Sequence, residues 1–279
     1  MGLLTENPVL EREVRGRLRL RRKGAGRAIP VVAWPIALVA LYFYARGLTA
    51  IGRGPVQDAR ELLPVMAYGA LALIVLLAPA LASTAITQER EQQTWDALAT
   101  TRLTAWEILF GKWVGRQIIP WLMIVLAVPY LLACAVFGGM GLLVLPAVLL
   151  FLIVTTAFYS AMGLLCSFQA QRTVGATATA LTITAALCVG TVIVNQVIEI
   201  FQPRVGPPEN SPVLWVNPFI ALTSLLAMLD RSGVSSFSGS PHEDHALVVG
   251  AYLLVTVAAI AAALYFMVSR YHRAVRERT

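Results

Sequence analysis

The sequence predicts an all-α polytopic membrane protein with six transmembrane helices. Three observations carry this. Of 279 residues, 58% are hydrophobic and 13% charged, about half the charged share of an ordinary soluble domain. The apolar residues gather into six runs, 28–45, 62–86, 113–137, 141–168, 174–198 and 246–269, each close to the roughly 20 residues a helix needs to cross a bilayer. Positive charge alternates between the connections. Lys and Arg number eight in 1–27, four in 87–116, one in 169–173 and four in the tail, against three in 46–61, none in 138–140 and two in 201–245. By the positive-inside rule, 17 against 5 puts both termini in the cytoplasm, as expected of a multi-pass protein of the cell (inner) membrane. The net charge of +7 therefore reports topology and not nucleic-acid binding. The alternating ten-residue strands of a membrane barrel are absent.

The elements follow in order. In residues 7–23, Asn7 suits an N-cap and Pro8 a first helical position. Leu10, Val14 and Leu18 recur every four residues among arginines, which predicts an interfacial amphipathic helix within 1–27. That polar stretch is too long for a signal-peptide n-region and no small-residue cleavage site follows, so the first apolar run is expected to remain as a span. The spans form one domain, 28–269, followed by a cytoplasmic tail, 270–279. Pro30, Pro35, Pro79, Pro120, Pro129 and Pro146 lie within the spans, where neighbouring helices can satisfy the carbonyls that proline frees.

The loop 87–112 is unusual. Glu89, Arg90, Glu91, Asp96, Arg102, Glu107 and Lys112 stand between two apolar runs, with Trp95 and Trp106. Thr104 and Glu107 have capping-box spacing, which predicts that a helix begins there and extends the third span into the cytoplasm. Glu89 to Gln93 read as the second span projecting past the membrane, and Trp95, Leu98 and Arg102 as one side of a short crossing helix. The result is a compact knob. Trp95 and Leu98 offer an apolar anchor for a partner's cleft and Glu89-Arg90-Glu91 a charged rim to orient it; tryptophans anchoring an interfacial turn fit the same residues equally well. Gly111-Lys112 is no phosphate loop, because Trp106 and Trp113 stand where glycine and Ser/Thr are required. Lys112 reads instead as a snorkelling residue at the membrane edge.

In the fifth span, Thr173, Thr177, Thr184, Thr191, Asn195 and Glu199 share one helical face. Such a face meets another helix through hydroxyl bonding, or lines a translocation path or a seam between subunits. The external segment, 199–245, contains an apolar core, 212–229. A seventh span there would put the basic tail outside, so a re-entrant or surface-lying helix pair, broken at Asn217-Pro218, is expected. His242 and His245 could face one side of a helix and grip a metal, although a polar loop before a span is an ordinary setting. Cys134, Cys166 and Cys188 all lie in apolar runs and read as small core residues. No nucleophile elbow, zinc-protease pattern or intramembrane carboxylate pair is present, so no catalytic role is expected of this chain.

Residues 89–112 resemble the cytoplasmic coupling loop of ABC transporter permeases of the type 2, mainly exporting, class. The pattern E-x-E-x-G-T, an aliphatic stretch, T-P, a polar residue and E-I-(apolar)2-G-K is matched at Glu89, Glu91, Thr94, Leu98, Thr101, Glu107, Ile108, Gly111 and Lys112. It departs at Gln93, where glycine is usual, and at Arg102, where proline is common. The opening residues resemble that family's elbow helix, and Asn217-Pro218-Phe219 its external segment. The resemblance implies a permease subunit paired with a second copy or a paralogue, resting on a separate ABC ATPase that binds Mg-ATP, with no cofactor in this chain. It implies ATPase coupling through Glu89, Arg90, Glu91, Thr94, Trp95, Leu98 and Thr101, and a path or dimer seam along Thr177, Thr184, Thr191, Asn195 and Glu199. Competing readings are an ion-coupled secondary carrier, which would need ionisable groups deep in the spans, and a membrane scaffold for metal-centre assembly.

Overall fold

The structure is a computed structural model that describes residues 55–93, 104–138, 143–201, 212–229 and 242–276. The expected interfacial helix and first span lie outside these residues. So do Thr94, Trp95, Leu98 and Thr101. All regular structure among the described residues is helical, and five helices are long and apolar enough to cross a membrane. They correspond to spans two to six. Span 2 is Pro55–Ala82, followed by a short helix, Thr87–Glu91; span 3 is Ala105–Phe137 and span 4 is Val144–Gln169. Span 5 runs Thr173–Ala185, passes through a π-helical turn, Ala186–Gly190, and continues as Thr191–Phe201. A 3-10 turn, Pro212–Val216, and a helix, Pro218–Leu229, precede span 6, His242–Arg276.

Helical spacing explains the main core. Leu63, Met66, Ala67, Ala70, Leu71 and Ile74 fall on one face of span 2 and are buried. They meet Met123 and Ala127 of span 3 and Phe151, Leu152 and Tyr159 of span 4. Lipid tails are as apolar as these side chains, so close packing and interhelical hydrogen bonds must hold the bundle together. One such link joins spans 4 and 6: Phe151 stacks on Tyr252 with ring centroids 5.2 Å apart, and the Tyr252 hydroxyl lies 3.0 Å from Thr155 Oγ1. Ala85, Ile86, Leu109, Leu164, Leu264 and Met267 form a second cluster, which gathers the ends of spans 2, 3, 4 and 6 beside the basic connections. This is called the basic end below.

Packing is uneven around the bundle. In the central stretch of span 4, 61% of residues are buried inside the chain, against 11% in span 5. Span 5 turns most of its surface outward and rests on spans 2 and 4 through the buried Ala176, Ala180 and Thr184, with a few polar bonds beside them.

Span 2 is a single apolar segment over Leu62–Glu91, as expected, but it carries a turn at 83–86 between Pro55–Ala82 and the short helix Thr87–Glu91. Pro79 weakens the ladder just before the break, and Ser83 and Thr84 turn their hydroxyls back onto the carbonyls of Ala80 and Leu81. Of the two readings of the external segment, re-entrant or surface-lying, burial of the helix Pro218–Leu229 disfavours only the second. That helix buries Ala221, Leu222 and Leu225 in the main core.

Candidate functional site

The break in span 2 organises the basic end. A turn inside an apolar bundle frees carbonyls that must find donors. Span 3 supplies them from two cations spaced four residues apart, and so on one face. Arg116 donates through Nη1 to Leu81 O at 3.2 Å and to Thr84 Oγ1 at 2.9 Å, and through Nη2 to Thr84 O at 3.4 Å. Lys112 donates to Ala85 O at 3.3 Å and pairs with Glu89 Oε1 at 2.6 Å. Lys112 is only 1% exposed. It does not snorkel, because the freed carbonyl and the Glu89 carboxylate compensate its charge better in place than an outward reach would.

Span 4 grips the same break from another side. Ser167 Oγ accepts the backbone N–H groups of Ile86 and Thr87, at 2.9 and 3.1 Å, and thereby caps the short helix, which has no side-chain cap of its own. Above it, Gly163 lets spans 2 and 4 touch backbone to backbone. A Cβ placed there would sit 2.5 Å from Pro79 O and 2.9 Å from Pro79 Cα.

The three charged residues of the short helix each go to a different span. Glu89 meets Lys112 of span 3. Arg90 Nη1 donates to Ala170 O at the end of span 4, at 2.8 Å, and its guanidinium lies 6.0 Å from the Phe168 ring. Glu91 Oε1 accepts the backbone N–H of Thr173, the first residue of span 5, at 2.8 Å, and Thr173 Oγ1 donates to both carboxylate oxygens at 3.0 and 3.2 Å. Span 5 has no side-chain cap from its own Arg172. A carboxylate from another helix fills that position, where the helix dipole favours negative charge.

After the short helix, Gln93 takes a left-handed backbone conformation, φ 56°, which glycine adopts without steric cost. The chain is next described at Thr104, which begins span 3 with a complete capping box. Glu107 N donates to Thr104 Oγ1 at 3.3 Å, and Thr104 N donates to Glu107 Oε2 at 2.9 Å.

The polar face of span 5 turns towards its own chain. Thr177 Oγ1 lies 3.0 Å from Ser83 Oγ at the break. Thr184 is buried and donates to Ala180 O; Asn195 is also buried. Thr191 donates to Leu187 O and accepts from Asn217 Nδ2 at 2.9 Å. Glu199 lies in the same helix, its side chain outside the described residues. The opposite face, including Val174, Val189, Ile193 and Val197, is exposed. His245 is buried at the start of span 6, and among the described residues no group of three His, Cys, Asp or Glu is placed to hold a metal ion.

Sequence reasoning missed the clamp formed by Lys112, Arg116 and Ser167. The signal was present: two cations at i and i+4 on a mostly apolar helix, with the hydroxyl residues Ser83, Thr84 and Thr87 close to the end of the preceding span. A family model described as "ABC-2 family transporter protein" matches residues 8–274. No curated protein matches the chain.

Proposed function

The chain belongs to the ABC-2 family of transporter permeases, and we propose that it is the membrane-spanning subunit of an exporter driven by ATP hydrolysis on a separate subunit. As a permease of this family it is a membrane transport subunit and not itself catalytic, and the family implies an ABC ATPase partner in general. In our reading two such permeases, copies or paralogues, stand side by side in the inner membrane, with termini and coupling loop in the cytoplasm. Mg-ATP binds the ATPase. The apolar anchor of Trp95 and Leu98, flanked by Thr94 and Thr101, enters a cleft on that ATPase. Glu89, Arg90 and Glu91 pass its displacement on to the spans. Thr177, Thr184, Thr191 and Asn195, on the face of span 5 turned towards its own chain, lie with Glu199 along the translocation path that must open for substrate to cross.

One observation supports this most strongly. The short helix that leads into the loop is bonded to three separate spans, through Glu89, Arg90 and Glu91. A displacement of the Thr87–Glu91 helix thus reaches spans 3, 4 and 5 directly through these bonds. An ion-coupled carrier is less well supported, because Lys112 and Arg116 are already engaged with the span 2 break.

The test is co-purification from detergent with the candidate ATPase, comparing wild type with Trp95→Ala plus Leu98→Asp. The expected result is loss of association by the variant, while it keeps the elution profile of the folded permease. Undiminished association removes the loop from the coupling role. Absence of binding by the wild-type chain as well would argue against that ATPase as the partner.

A further inference from the structure

We propose that span 5 is a connecting rod that links the coupling segment to the external helix Pro218–Leu229, with Glu91 and Asn217 as its two couplings. The proposal rests on the transport reading for its purpose, but the linkage is argued from the bonds themselves.

At the lower end, Glu91 caps span 5 from outside, taking the Thr173 N–H and hydroxyl. At the upper end, Asn217 Nδ2 donates to Cys188 O at 2.7 Å and to Thr191 Oγ1 at 2.9 Å. The Cys188 carbonyl belongs to the π-helical turn Ala186–Gly190, and it takes a side-chain donor from the external segment. The same asparagine accepts the Phe219 N–H on Oδ1 at 3.0 Å, thereby capping the helix that follows. Asn217 is 1% exposed, so water does not compete for these bonds. One residue thus fixes both the start of the external helix and the irregular turn of span 5.

Between Thr173 and Thr191 the rod is about 27 Å long at 1.5 Å per residue. Few of its side chains are buried against the chain, and its lower polar contact is the Thr177–Ser83 hydroxyl pair. The lower half of span 5 is seated on spans 2 and 4 through the buried Ala176, Ala180 and Thr184, so a displacement of its foot is carried along one continuous helix face. The π turn is the irregular point of the rod: such turns are rare and frequent at functional sites. A displacement of the Thr87–Glu91 helix is carried by Glu91 into span 5. It reaches the external helix through Asn217, with the Cys188 carbonyl as the bond most readily exchanged.

Thermodynamic coupling between two ends must be reciprocal, which makes the rod testable in the isolated permease. Hydrogen exchange would be measured on the full chain in lipid nanodiscs, without ATPase or substrate. Glu91→Ala should raise exchange at residues 173–176 by roughly fivefold, the usual scale of a lost cap. It should also raise exchange at Phe219 and its neighbours by roughly twofold or more. Asn217→Ala should in turn raise exchange at Thr173 by a similar factor. Glu91→Gln, which keeps an acceptor for the Thr173 N–H, should leave the far end close to wild type. If each alanine variant disturbs only its own end, span 5 is no rod and the proposal falls; if Glu91→Ala does not fold, the Asn217→Ala arm decides alone. A negative result leaves the transport reading standing, and loss of that reading leaves this linkage intact.

Discussion

Lys112 and Glu89 meet at 2.6 Å across the break in span 2, with the lysine 1% and the glutamate 21% exposed. Such a pair is costly to break from one side, because the remaining charge stays in a poorly solvated place. Lys112→Met should therefore destabilise the permease by about 2 kcal/mol, less than for a wholly buried pair because Glu89 reaches some solvent. Adding Glu89→Gln should restore part of the loss. Thermal unfolding in detergent measures both, and a single variant as stable as wild type would show that the pair is incidental.

Arg116 serves two carbonyls and a hydroxyl of the same turn with one planar fork. A lysine keeps the charge but cannot span Leu81 O and Thr84 together. Arg116→Lys should cost about 1–2 kcal/mol, the scale of a lost charge-assisted hydrogen bond, and should raise amide exchange over residues 83–86 specifically. Unchanged protection there would mean that the turn holds without the guanidinium.

Two glycines predict opposite outcomes. At Gly163 a Cβ would press on Pro79 O and Cα, both backbone atoms, so Gly163→Ala should force spans 2 and 4 apart and cost about 1–3 kcal/mol. At Gly175 a Cβ meets nothing within 4 Å, and Gly175→Ala should hold or raise stability by up to about 1 kcal/mol through helix propensity. Equal melting temperatures for the two variants would contradict the close approach.

Gln93 sits where a side chain is strained, at φ 56°. Gln93→Gly should relieve that strain, with a net gain below about 1 kcal/mol once glycine's extra freedom in the unfolded chain is counted. Gln93→Val should destabilise, since β-branching is least compatible with that region. Proteolysis of the 87–104 segment reads the effect locally. If the valine variant resists protease as well as the glycine variant, the left-handed turn does not persist in the membrane.

Much of the fold was legible because its signals are periodic and local. Apolar runs marked the five spans now described, and the Thr104–Glu107 spacing marked where span 3 begins. What the sequence did not disclose depends on pairs distant along the chain. Lys112 resembled an ordinary snorkelling residue until Glu89 and the Ala85 carbonyl were seen beside it. The charged triplet was read as a rim for a partner. Each member also has an internal bond, and two of those bonds reach residues about 80 positions later, at Ala170 and Thr173. The polar face of span 5 was visible as a stripe, but its pairing with Asn217 required the external segment to be placed. Glycine at the position of Gln93 is the resemblance's expectation, and the backbone takes glycine's conformation there without it.

The split destinations of that triplet set an order of events during synthesis. Glu89 can find Lys112 once span 3 has emerged from the ribosome and entered the bilayer. Arg90 and Glu91 must wait for the turn between spans 4 and 5, which brings Ala170 and Thr173. In a nascent chain stalled after span 3 the bonds of Arg90 to Ala170 and of Glu91 to Thr173 have not formed, and the turn between spans 4 and 5 supplies both at once. The basic end thus closes late, as a step that records the arrival of the turn into span 5.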